Sequence, residues 1–178
     1  MAVNNCNRTL RDGSLTINDG SETPKSMTLS LDQGDLSWTE TKTVVKTLNR
    51  GKIAGGCIRP GNEENVTLSF TTAWTQLLGY TEDAQDPSFL YEMLNNIGDT
   101  YTSTFANDCL YTLEFVFTVS PCGGVGAEVI TFAYVYHTSL TMAEGDDSNT
   151  ISFDGEDWEL RPTVERVGSG SSSSSSAE

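Results

Sequence analysis

The feature that most constrains this chain is an alternation of apolar and polar residues with period two, repeated along much of its length. Leu15 and Ile17 share one side of their run, and Met27, Leu29 and Leu31 share one side of theirs. Leu36 and Trp38 follow, then Val66, Leu68 and Phe70 with Thr and Ser between them. A pleated strand sends alternate side chains to opposite faces, and Thr suits the solvated one. Turn signals separate the runs: Asn18-Asp19-Gly20, Gln33-Gly34-Asp35 and Arg59-Pro60-Gly61-Asn62. The pattern predicts a mainly β, antiparallel fold.

Two later segments, 110–119 and 129–136, are almost continuously apolar or aromatic and flank Cys122-Gly123-Gly124-Val125-Gly126. They are expected to form a hairpin buried on both faces, with a sandwich interior on one side and a helix or another subunit on the other. Further strands are expected over 150–153 and 158–166, after an acidic turn at 144–149. One helix is signalled by Asp86 as N-cap, Pro87 at the first position and Gly98 past the end. Phe89, Leu90, Met93, Leu94 and Ile97 would form its packed face. Residues 71–80 read as either a strand end or a short helix. The expected architecture is an antiparallel β-sandwich or barrel with one flanking α-helix and a long early hairpin loop. Its organisation would be an N-terminal arm (1–12), one β-sandwich domain (13–167) and a disordered Ser/Gly-rich tail (168–178).

Charge is unevenly distributed within the net −15. Residues 1–60 hold eight basic and six acidic residues, net +2, whereas 61–178 hold two basic and nineteen acidic, net −17. That split argues against a nucleic-acid binder with a dominant basic face, and it allows one copy's positive part to meet another's negative part. No apolar run reaches the roughly 18 residues of a membrane span. The first residues lack the apolar stretch of a secretory signal, so the sequons at Asn7 and Asn65 read as chance matches. Cys6, Cys57, Cys109 and Cys122 lie far apart without a C-x-x-C pair, and read as free thiols.

Signs of chemistry are sparse. His137 is the one histidine, expected at a strand end, and no nucleophile motif accompanies it. The glycines at 123, 124 and 126 precede a strand instead of the helix a phosphate loop needs. Asp146, Asp147 and Asn149 lack the spacing of a calcium loop, and read as a solvated turn. No metal, cofactor or catalytic residue is therefore expected, and the chain reads as a non-enzyme. Residues 42–59 stand out because Lys42, Lys46, Arg50, Lys52 and Arg59 occur there without any acidic residue. They form either a solvated hairpin or a charged arm that docks on a neighbouring subunit.

The order of these features resembles the tail tube proteins of long-tailed bacteriophages. The matching pieces are Asp19-Gly20 with the strand to Leu31, Gly34-Asp35-Leu36-Ser37-Trp38, and the Asn49-Arg50-Gly51-Lys52 turn. Arg59-Pro60-Gly61-Asn62-Glu63-Glu64 leading into Val66-Thr67-Leu68-Ser69-Phe70, and the late Ile151-Ser152-Phe153, complete them. The resemblance implies hexameric rings with a continuous β-lined wall, stacked into a tube that conducts DNA during ejection. It implies a virion protein made in the host cytoplasm, with itself and other tail proteins as partners. Lys42, Lys46, Arg50, Lys52 and Arg59 would make the contact between rings. Asp146, Asp147, Asp154, Glu156 and Asp157 would supply an acidic lumen or docking surface that repels phosphates. Two other classes share the pattern: a head decoration or head–tail joining protein, and a carbohydrate-binding module using Trp38, Trp74 and Trp158.

Overall fold

The computed structural model describes residues 13–29, 31, 36–74, 90–99, 101–106, 110–119, 126–145 and 149–167. The expected N-terminal arm and tail, Asp86, Pro87, Phe89, the glycine turn at 122–125, and Cys6, Cys109 and Cys122 lie outside them. The strands are β1 (Gly13–Asn18), β2 (Ser26–Leu29), β3 (Ser37–Thr39), β4 (Lys42–Asn49), β5 (Lys52–Glu63) and β6 (Val66–Trp74). A short helix, α1 (Leu90–Asn95), and a 3₁₀ turn (Ile97–Asp99) precede β7 (Leu113–Val119), β8 (Ala127–Ala143), β9 (Asn149–Asp157) and β10 (Thr163–Val167).

The fold is mainly β, and every strand pairing is antiparallel. One sheet runs β2-β1-β7-β8-β9-β6-β3, with β10 also on β8, while among the described residues β4 and β5 pair only with each other. The long strand β8 joins two halves of that sheet. Its residues 127–131 pair with β10 and 128–135 with β7, whereas 135–143 pair with β9. The halves fold over onto each other, as the aromatic side chains show. Phe115 of β7 lies 6.0 Å, ring to ring, from Phe70 of β6 and 5.3 Å from Phe153 of β9. Trp38 of β3 meets Phe132 of β8 edge-on at 6.0 Å. Strands so far apart in sheet order touch only because the two faces enclose one core. Leu15, Ile17, Val66, Leu68, Phe70, Leu113, Phe115 and Phe117 are buried there, in the alternation the sequence predicts. Each fully buried Phe or Leu contributes about 1.5–3 kcal/mol through the apolar surface it removes from water.

Several expectations change. Residues 110–112 are not strand, because they bond to the chain before them: Thr112 N–H donates to Ser103 Oγ at 3.1 Å, and Thr112 accepts from Thr104 N at 2.9 Å. The hairpin β7–β8 is buried on one face and half-buried on the other, with Glu114, Val116 and Thr118 alternating outward. The last strands are longer and shorter than expected: β9 runs on to Asp157, and 158–162 form a turn ahead of β10. His137 sits within β8, exposed, beside a β-bulge between His137 and Ser139. The helix ends at Asn95, so the residue just past its end is Asn96 and not Gly98: Asn96 has φ 48°, and its side chain accepts from Tyr101 N–H at 3.1 Å. Leu90, Met93 and Leu94 enter the core, whereas Ile97 is half-buried. Of residues 71–80, those up to Trp74 are strand, and the rest lie outside the described residues.

Candidate functional site

Strands β4 and β5 form a hairpin arm. A two-residue turn closes it, with Arg50 at φ 50° and Gly51 at φ 78°. Two consecutive positive φ values give the turn whose twist matches that of paired strands, and Gly takes such a φ without strain. All five basic residues expected to act together lie on this arm, and all are exposed. Its pairing divides them, however. Lys46 stands opposite Ile58 and Val45 opposite Arg59, so Lys46 and Arg59 emerge on opposite faces. Lys42 stands opposite Glu63 at the base, while Arg50 and Lys52 occupy the tip.

Apolar side chains that no sequence rule singled out accompany them. Val44, Val45, Leu48, Ile53 and Ile58 are exposed, Ile53 by 86% and Ile58 by 72%. A lone two-stranded hairpin is at best marginally stable in water, and exposed branched side chains gain nothing from solvent. The β-branched residues are legible in the sequence. What the sequence hides is that no third strand among the described residues covers them.

The acidic set does not stay together. Asp146 and Asp147 lie outside the described residues. Asp154 is exposed, and Glu156 is half-buried on the same face of β9, accepting from Tyr136 Oη at 2.6 Å and Asn65 Nδ2 at 3.3 Å. Burial, and then the Glu156 carboxylate beside it, hold the Tyr136 phenol above its ordinary range. Asp157 points the other way and is 0% exposed, so it belongs to no acidic surface. Its Oδ1 accepts from Tyr134 N–H at 2.9 Å, while Oδ2 has no partner among the described residues.

Burial pushes the Asp157 carboxyl up to about 6, despite the Tyr134 bond and with Glu159 adding repulsion. Because its folded value lies above the unfolded one, the stability linked to Asp157 is fully present below about pH 4. It is lost as pH rises through about 6. Asp157→Asn should return about 3 kcal/mol of this at pH 7, at about 1.4 kcal/mol per unit. An unpartnered amide takes back about 1–2 kcal/mol. The expected outcome is a net gain of about 1–2 kcal/mol at pH 7 in urea unfolding, with a flatter profile between pH 4 and 6. A loss of stability at pH 7 would contradict it.

The outer face of β3, β6 and β9 holds a shallow depression of about 220 Å³, lined by Ser37, Trp38, Thr39, Thr67, Ser69, Asp154 and Glu156 among others. Trp38 leans on Phe132 and closes the rim of the core. Trp158 is 58% exposed on the turn after β9, on a different element from Trp38, and the Trp74 side chain is not among the described ones. Among the described residues no group of His, Cys, Asp or Glu is placed to hold a metal, and no helix is long and apolar enough to cross a membrane. Cys57 lies exposed on the arm as a free thiol.

No protein-family model and no curated protein sequence matches the chain. Among solved structures, its fold is similar to the cryo-EM structure of the anti-feeding prophage cap, a tube-terminating cap. The TM-score is 0.55 at 13% identity, over 93% of this chain and 95% of that one. At that identity the likeness is one of fold.

Proposed function

We propose that this chain is a non-enzymatic structural subunit of a phage-tail-like tube. Six copies close into a ring, and the hairpin arm of each docks on the adjoining ring. The observation that carries this reading is the arm itself, an isolated hairpin with exposed branched side chains and unbalanced positive charge. The fold likeness to a tube-terminating cap supports it. On this reading the subunit resides in the virion tail, after synthesis in the host cytoplasm. Its partners are its own copies and other tail proteins, and double-stranded DNA passes through without sequence-specific contact. The surplus of acid in residues 61–178 then disfavours adhesion of phosphates.

The same likeness favours a second reading, in which the subunit forms one terminal ring and its arm grips the end of a tube built from another protein. The two readings differ in self-elongation.

Charge reversal on the arm tests the docking. An exposed ion pair contributes only about 0.2–1 kcal/mol, but six copies give about 1–6 kcal/mol per ring interface. Lys46→Glu with Arg50→Glu should yield folded protein that closes into rings and makes few or short tubes in electron micrographs. Wild-type tubes should shorten as added salt screens the contact. Normal elongation by the double variant, together with assembly indifferent to salt, would remove the electrostatic part of this account.

A further inference from the structure

The geometry points to the C-terminal half of β8 as the strand that joins one copy to the next within a ring, by pairing with β3 of the neighbour. This inference rests on the proposed ring and names its seam. Beyond Val135, β8 pairs with β9 alone among the described residues, so residues 137–143 present one unpaired backbone edge. An unpaired edge is a template for another strand, and proteins ordinarily guard it by shortness, charge or proline. Two other edges are guarded in that way: β2 has four residues behind Pro24-Lys25, and β10 carries Glu165 and Arg166 behind Pro162. Strand β3 is short, but Ser37, Trp38 and Thr39 carry neither charge nor proline. Residues 138–143, Thr-Ser-Leu-Thr-Met-Ala, contain no charge and no proline. The bulge after His137 marks only the start of this edge.

Strand direction selects the partner. The half-sheet reads β8-β9-β6-β3, each neighbour antiparallel to the last, so its two edges run in opposite directions. Copies related by rotation about a ring axis keep the same orientation. The β8 edge of one therefore meets the β3 edge of the next antiparallel, and the alternation continues unbroken around the ring. Such a head-to-tail contact closes a ring by rotation, whereas β8 against β8 would stop at a dimer.

Hydrogen exchange on the unaltered protein tests the seam. On assembly, amides in residues 137–143 and Ser37–Thr39 should exchange about tenfold or more slowly than in the dispersed subunit. Cross-linking tests direction, in a background with Cys6, Cys57, Cys109 and Cys122 all changed to Ser, with Thr141→Cys on one preparation and Thr39→Cys on another. A short bis-maleimide should link the two only when they are mixed and assembled. A Thr141→Cys link between identical copies would overturn the β3 assignment. Rings that form without protection or mixed links would overturn the seam and leave the ring reading standing. Protein that forms no rings at all would overturn both.

Discussion

Excising residues 43–62 and closing Lys42 to Glu63 with an Asn-Gly turn is expected to leave a subunit as stable as the parent and unable to form tubes. Lys42 and Glu63 are paired across the arm's base, so a two-residue turn spans the gap. Among the described residues, β4 and β5 pack mainly on each other and hold no buried core side chain, so the described core is kept without them. Stability should change by no more than about 0.5 kcal/mol, the range of surface changes away from the core. Elongation, in contrast, loses both the exposed apolar side chains and the basic residues at every ring contact. Urea unfolding and electron micrographs of the same preparation read the two quantities. Tubes of normal length from the shortened protein would exclude the arm from assembly.

A second large effect is expected at Asp19. Its buried carboxylate accepts from Ser21 Oγ at 2.6 Å, Lys25 N at 2.7 Å and Thr102 N at 3.1 Å. It thereby ties the turn between β1 and β2 to the segment before β7. Gly20 completes the junction, its N–H donating to Thr102 O at 2.8 Å. A Cβ at that position would lie 2.3 Å from Ser103 O, so only glycine fits. Burial pushes the Asp19 carboxyl up, but the Ser21 hydroxyl and the backbone N–H groups of Thr102, Lys25 and Ser21 bring it below its usual value.

Asp19→Ala strands those donors, at about 1–3 kcal/mol for each one left buried, so a loss of about 3–5 kcal/mol is expected. That is a large part of the roughly 5–15 kcal/mol that holds an ordinary domain together. Because the folded value is depressed, this stabilisation is present above about pH 4 and lost as pH falls through the lowered value. The gap between wild type and Asp19→Ala in urea should therefore be wide at pH 7 and narrow progressively as pH falls below about 4. A gap of less than 1 kcal/mol at pH 7 would show that the junction is held some other way.

Local pattern carried most of the strand reading. Leu15 with Ile17, and Val66 with Leu68 and Phe70, sit where alternation puts them, because each strand has one buried face. The arm's turn was legible in Asn49-Arg50-Gly51-Lys52. Misreadings arose where long-range contacts decide. The β8 strand outruns its apolar stretch because pairing with β9, not burial, holds residues 137–143 extended. The resemblance to tail tube proteins puts Asp157 on an acidic surface. Yet extending the alternation of Ile151 and Phe153 by two steps of two places it in the core. Trp158 falls just past that run and is turned outward. The arm's apolar residues were equally visible, but their lack of cover depends on where every other strand went.

On the proposed reading, this subunit builds rings and stacks them. Negative-stain electron microscopy of the concentrated wild-type protein tests it most directly. Hollow tubes of uniform width, resolved end-on as six-membered rings, are the expected result. Particles that remain monomeric at every concentration, alone and with tail partners, would contradict it.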